Sequence, residues 1–155
     1  MKVGRTIALL GGGQLGRMFI ENALRYPLQV NAIDPDPNAP CAALAHRFHV
    51  GQLDDMKAIL EHAQDADVVG IEIEHVSVEA LDQLKAQGKR VIPDPIVLRI
   101  IQDKGLQKQF YLDHDIPSAP FVLLDHGTQA MDHATLLPGF LKSRTGGYDG
   151  KGVMS

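Results

Sequence analysis

The sequence predicts an α/β protein whose first part is a doubly wound parallel sheet. Three observations carry that prediction. Short apolar or β-branched runs alternate with longer amphipathic segments over residues 1–95. A glycine cluster directly follows the first of those runs. The alternation then stops at Pro93-Asp94-Pro95, and the rest of the sequence runs into a second glycine-dense turn. Strand, helix and strand repeated in this way demand parallel pairing through right-handed crossovers, which makes the first part Rossmann-like.

Thr6–Leu10 is the first predicted strand. The segment Gln14 to Tyr26 follows as a helix, with Leu15, Met18, Phe19 and Ala23 spaced to share one face, the expected core face. Val30–Asp34 is a second strand, closed by Pro35 and Pro37. Phe48–Val50, Val68–Ile73 and Arg90–Ile92 complete the strands, and Leu53–Gln64 and Ser77–Gln87 are the helices between them. Ser77 is a natural cap for the latter and Gly88 its natural end. Beyond residue 95 the sequence predicts helical segments Ile96–Gln102 and Lys104–His114. An extended stretch framed by Pro117 and Pro120 then leads into Phe121–Leu124, followed by a polar stretch at Asp125–His133 and a short strand at Gly139–Ser143. The predicted organisation is one domain over 1–95 and the first part of another over 96–155. Ser155 comes three residues after Gly152. The second domain is therefore expected to be truncated, and a strand begun at Val153 to lack room to pair.

Composition excludes several classes. With 45% hydrophobic and 22% charged residues and a net charge of −4, the chain is not disordered throughout, and its mild acidity gives no reason to expect nucleic acid. No apolar run approaches the roughly 18–20 residues of a membrane-spanning helix. The start, MKVGRTIALLGGGQLG, lacks a secretory h-region and cleavage site. The single cysteine, Cys41, cannot form an internal disulfide, so a reducing cytoplasm is the expected setting. Cys41 is expected to serve packing at the start of a small-residue helix. His46 and His49 lack the companions that a metal site needs and are expected to be solvated or hydrogen-bonded. His75, beside two glutamates, is a candidate pocket lining without a catalytic assignment.

Gly11, Gly13 and Gly16 satisfy G-x-G-x-x-G between a predicted strand and helix. Such a turn admits a ligand close to the backbone, and the helix start offers it unpaired N–H groups and a positive dipole end. Asp34 ends the second strand, where dinucleotide-binding folds place a carboxylate on a ribose. Alone, these features fit an NAD-dependent oxidoreductase, or glycines that merely let helix and strand approach. The second cluster, from Lys142 to Val153, is not a Walker A loop, because Thr145 replaces the first glycine and Gly152 the final hydroxyl residue. From Gly139 to Ser155 there are three Lys or Arg and one acidic residue, a local balance of +2. A basic, N–H-rich hairpin of this kind suits a polyphosphate.

The stretches GGGQLGRM (Gly11–Met18), EIEHV (Glu72–Val76), QDKGLQKQF (Gln102–Phe110) and KSRTGGYDGKG (Lys142–Gly152) together resemble the ATP-grasp enzymes of purine biosynthesis. Within them the match is to the 5-(carboxyamino)imidazole ribonucleotide synthase family. The resemblance implies a pre-ATP-grasp domain followed by the beginning of an ATP-grasp domain. It implies ATP- and bicarbonate-dependent carboxylation of 5-aminoimidazole ribonucleotide. Gln14, Leu15 and either Glu72 or Glu74 would then contact that substrate; strand parity cannot separate the two glutamates. Lys104, Lys142 and the loop Gly147, Tyr148, Asp149, Gly150, Lys151, Gly152 and Val153 would contact ATP. The resemblance places the Mg2+ ligands in sequence beyond this chain, so that no metal ligand is assigned here and the catalytic base stays unassigned. A homodimer stays open. So does a non-catalytic nucleotide-binding module, alongside the oxidoreductase.

Overall fold

The computed structural model describes residues 4–146 and 152–155, in two compact units that divide at Leu98 and Arg99. In the first unit, β1 (Arg5–Leu10), β2 (Leu28–Asp34), β3 (Arg47–Val50), β4 (Val68–Ile71) and β5 (Arg90–Ile92) form one parallel sheet in the order β3-β2-β1-β4-β5. Helices α1 (Gln14–Ala23), α2 (Met56–His62) and α3 (Val78–Ala86) connect these strands, and α4 (Pro95–Gln102) follows β5.

Alternation along β1 sorts the core into two layers. Ala8 and Leu10 pack with Ile33, Ile59, Val69, Leu81 and Leu84, on the side of α2 and α3. Leu9 packs with Val30, Ala32, Ile20 and Ala23, on the side of α1. The doubly wound reading of the sequence is correct.

Local signals fix the ends of the helices. Asp55 caps α2 by accepting from the N–H groups of Lys57 and Ala58, and Ser77 caps α3 through the N–H of Ala80. Gly88, at φ +83°, lies just beyond the end of α3. The face of α1 differs from the sequence expectation. Gly16, Ile20 and Ala23 are its buried residues, whereas Leu15, Met18 and Phe19 are 68%, 50% and 42% exposed. The two stripes are neighbours on the helix, and the one carrying glycine wins because it lets the axis approach the sheet. A Cβ at Gly16 would sit 3.0 Å from both Leu9 Cδ2 and Cys41 Sγ. Cys41 is fully buried, but in a turn rather than a helix.

The second unit holds α5 (Lys104–Asp113), an irregular run through Phe121–Leu124, and a 3-10 segment Gly127–Leu136 broken at His133. It ends in a hairpin of β6 (Leu141–Lys142) and β7 (Val153–Met154). The expectation that a strand from Val153 lacks a partner is wrong. Lys142 pairs antiparallel with Val153 and Leu141 with Met154, because two residues suffice once the intervening turn has reversed the chain.

Candidate substrate site at the glycine turn

Strand order sets the site. β2 and β4 flank β1 on opposite sides, so the crossovers leaving β1 and entering β4 diverge and open a crevice at their carboxyl ends. Leu10 pairs with Ile71 across that crevice, which brings the glycine turn after β1 against Glu72, the first residue after β4.

Glu72 leans over the turn. A Cβ on Gly11 would meet its Oε2 at 2.7 Å, and one on Gly13 its Oε1 at 2.6 Å. Gly11 also has φ +100°, a conformation that L side chains rarely adopt. Glu72 Oε1 accepts from the N–H of Gly16 at 3.4 Å, and Asp34 Oδ2 accepts from the N–H of Gly12 at 2.8 Å. The other Asp34 oxygen accepts from Asp36 N–H at 2.9 Å, and Gly11 N–H donates to Ile33 O at 3.0 Å.

The turn is therefore not the open anion cradle that its glycines predict. Three of its N–H groups are already engaged, two of them by carboxylates. What faces a ligand here is acceptor-rich, suited to hydroxyl or amine donors. The same wiring gives Asp34 a structural task in place of the ribose contact that the dinucleotide reading requires.

Strand β4 stops at Ile71, so Glu72 and Glu74 both lie in bends and strand parity has no bearing on them. Position separates them instead: Glu72 lies against the glycines, whereas Glu74 Oε1 lies 3.6 Å from His75 Nδ1. Gln14 and Leu15 open α1 at the same turn, both exposed. Cys41 Sγ faces Gly13 O at 3.6 Å. Burial, reinforced by Glu72 and Asp34, pushes its thiol up to about 11, so it stays protonated and unreactive. His46 Nδ1 accepts from Val30 N–H at 3.1 Å. Among the described residues, no group of three or more His, Cys, Asp or Glu is placed to hold a metal ion.

In the second unit, Lys104 is the first residue of α5 and Lys142 the last of β6. Gly152 O accepts from Ser143 N–H at 2.9 Å, closing the hairpin stem, and Val153 pairs opposite Lys142. Gly147, Tyr148, Asp149, Gly150 and Lys151 lie outside the described residues. Two residues escaped the sequence reading. Asp103 and Arg144 form an ion pair with Nη2–Oδ2 at 2.6 Å. Its only sequence signal is an aspartate at a helix start, which says nothing of a partner 41 positions away.

Residues 4–102 match the family model of the ribonucleotide synthetase preATP-grasp domain. The chain belongs to this family. A member from Brucella melitensis, named N5-carboxyaminoimidazole ribonucleotide synthase, is 40% identical over 160 residues, covering 98% of this chain and 42% of its own length. The N5-carboxyaminoimidazole synthetase of Staphylococcus aureus, solved with ADP, superposes with a TM-score of 0.88 at 31% identity, covering 99% of this chain and 41% of its own. The Aspergillus clavatus synthase, solved with ADP and 5-aminoimidazole ribonucleotide, gives 0.82 at 32% identity, covering 99% and 41%. This preATP-grasp chain thus spans about two fifths of the length of the relatives it matches. The fold expected from the resemblance, a Rossmann-like pre-ATP-grasp domain, is correct. Among the described residues no helix is long and apolar enough to cross a membrane.

Proposed function

We propose that this chain forms the substrate-binding end, and the first ATP-binding elements, of an ATP- and bicarbonate-dependent carboxylase. Its substrate is 5-aminoimidazole ribonucleotide and its product the 5-(carboxyamino) derivative. The observation that carries this reading is the extent of the likeness: 98% of the chain, both glycine clusters included, aligns with an N5-carboxyaminoimidazole ribonucleotide synthase at 40% identity.

Bicarbonate is a poor electrophile, and ATP corrects that. A bicarbonate oxygen attacks the γ-phosphorus, the bond to ADP breaks, and carboxyphosphate results. The exocyclic amine of the substrate then attacks the carboxyl carbon, or carbon dioxide released from it. Phosphate leaves and the nitrogen gives up a proton. Phosphoryl transfer is chiefly a matter of positioning and charge neutralisation. In this reading Lys104 and Lys142, with Gly147 through Val153, neutralise and cover the phosphates. No step is routed through Mg2+, because the described residues offer it no ligand cluster.

The acceptor-rich turn refines the substrate pose. Glu72 takes donors from the ribose or amine end of the nucleotide, with Gln14 and Leu15 beside it, and the 5′-phosphate binds elsewhere. The domain organisation proposed is the preATP-grasp domain over 1–95 and ATP-grasp elements over 96–155. The experiment is ADP release by the full-length protein. It is expected to require bicarbonate and 5-aminoimidazole ribonucleotide together. Equal turnover with glycinamide ribonucleotide, or release indifferent to bicarbonate, contradicts the assignment.

A further inference from the structure

Asp103 stands between α4 and α5 and is committed on two sides. Its Oδ1 caps α5, accepting from Gly105 N–H at 2.7 Å and Leu106 N–H at 3.2 Å. The same carboxylate receives the fork of Arg144, with Nε to Oδ1 at 3.0 Å and Nη2 to Oδ2 at 2.6 Å. The backbone joins in, because Lys104 N–H donates to Arg144 O at 2.9 Å. Gly105 leaves room for this. A Cβ there would meet Arg144 Nε at 2.8 Å and Asp103 Oδ1 at 3.0 Å, so the guanidinium lies across the first turn of α5.

An exposed ion pair is ordinarily worth little, but planar two-point geometry is the recognised exception. Here it is joined to a helix cap and a backbone bond. The hydrogen bond from Arg144, ahead of the helix N–H groups, holds the Asp103 carboxyl below the usual carboxylate range. Location gives the pair its interest. Arg144 lies two residues beyond Lys142, at the root of the glycine hairpin, and Asp103 immediately precedes Lys104.

We propose that Asp103 and Arg144 are positioning residues: a clamp that fixes the hairpin root to the start of α5 and so holds Lys104 and Lys142 at set stations for the phosphates of ATP. Arg144 acts through Asp103 and does not itself bind phosphate. The inference rests on the assignment of both lysines to ATP.

A double-mutant cycle tests it in the full-length protein, using Asp103→Asn, which keeps a capping side chain, Arg144→Gln, and both together. Two readouts are needed. Without nucleotide, amide exchange at Lys104 and Ser143 is expected to accelerate about tenfold or more in each single variant, and no further in the double. With ATP, KM is expected to rise about tenfold in each single variant with kcat within about twofold, again without additional loss in the double. Arg144→Lys, which keeps the charge but loses the fork, is expected to behave like Arg144→Gln.

Unchanged exchange overturns the clamp. Additive losses of ATP affinity overturn it as well, since they mean that Arg144 touches the nucleotide directly. Faster exchange with unaltered ATP kinetics, in a protein whose Lys142→Ala variant loses ATP, overturns the positioning role. If Lys142→Ala also leaves ATP binding intact, the assignment of the lysines has failed and the proposal falls with it.

Discussion

Lys142→Ala is expected to weaken ATP binding to the full-length protein by about tenfold to a hundredfold, the range of a charge-assisted phosphate contact. Unfolding should barely change. Lys142 is exposed and contributes to β6 through its backbone, and alanine preserves the pairing with Val153. Calorimetric titration of ATP into both proteins, with thermal scans alongside, makes the measurement. Gln14→Ala is the contrasting variant. It opens α1 at the glycine turn and is expected to lower affinity for the aminoimidazole ribonucleotide while sparing ATP. Unchanged ATP affinity in Lys142→Ala removes that residue from the site, and equal loss of both ligands in either variant argues against separate subsites.

The second large effect concerns stability. His62, on α2, is 5% exposed and its Nδ1 lies 3.1 Å from His49 Nδ1, the two rings meeting edge to face. One nitrogen must accept while the other donates, so the pair cannot hold both rings protonated. Burial first, and the His49 charge second, lower the His62 pKa to about 4. The unfolded chain, with an ordinary histidine near 6.5, binds the proton more readily than the folded one across that interval. Stability is therefore complete above pH 6.5, falls as the pH drops toward about 4, and stops falling from this source below that. The total is roughly 3 kcal/mol. Urea unfolding at pH 7.5, 6, 5 and 4 is expected to show that decline in the wild type and to show it much reduced in His62→Leu. An equal decline in both proteins refutes the role given to His62.

Much of the first unit is legible in the sequence because its strands are short and strongly apolar and its helices carry their own stops. Ser77 and Gly88 bracket α3 as their chemistry dictates. Periodicity fails at α1, where Leu15, Met18 and Phe19 look more hydrophobic than Gly16. Hydrophobicity measures what a residue gains by burial. Gly16 is chosen instead for how little space it occupies against Leu9 and Cys41.

The site is legible in its residues but not in its wiring. The glycine spacing marks the turn, yet nothing local reveals that Asp34 and Glu72, 22 and 56 positions from their partners, take its N–H groups. Those bonds convert an anticipated phosphate cradle into an acceptor-lined pocket. The 3-10 segment Gly127–Leu136 was read only as polar, since it carries no helical stripe and none of its described residues is buried.

The most direct measurement follows backbone amide resonances of Gly11 through Gly16 and of Glu72 while 5-aminoimidazole ribonucleotide, and separately inorganic phosphate, is titrated into the full-length protein. Saturable shifts at these amides with the nucleotide, and none with phosphate, are predicted. Shifts of the same amides by phosphate alone, or nucleotide binding that leaves them and Glu72 untouched, would contradict the account.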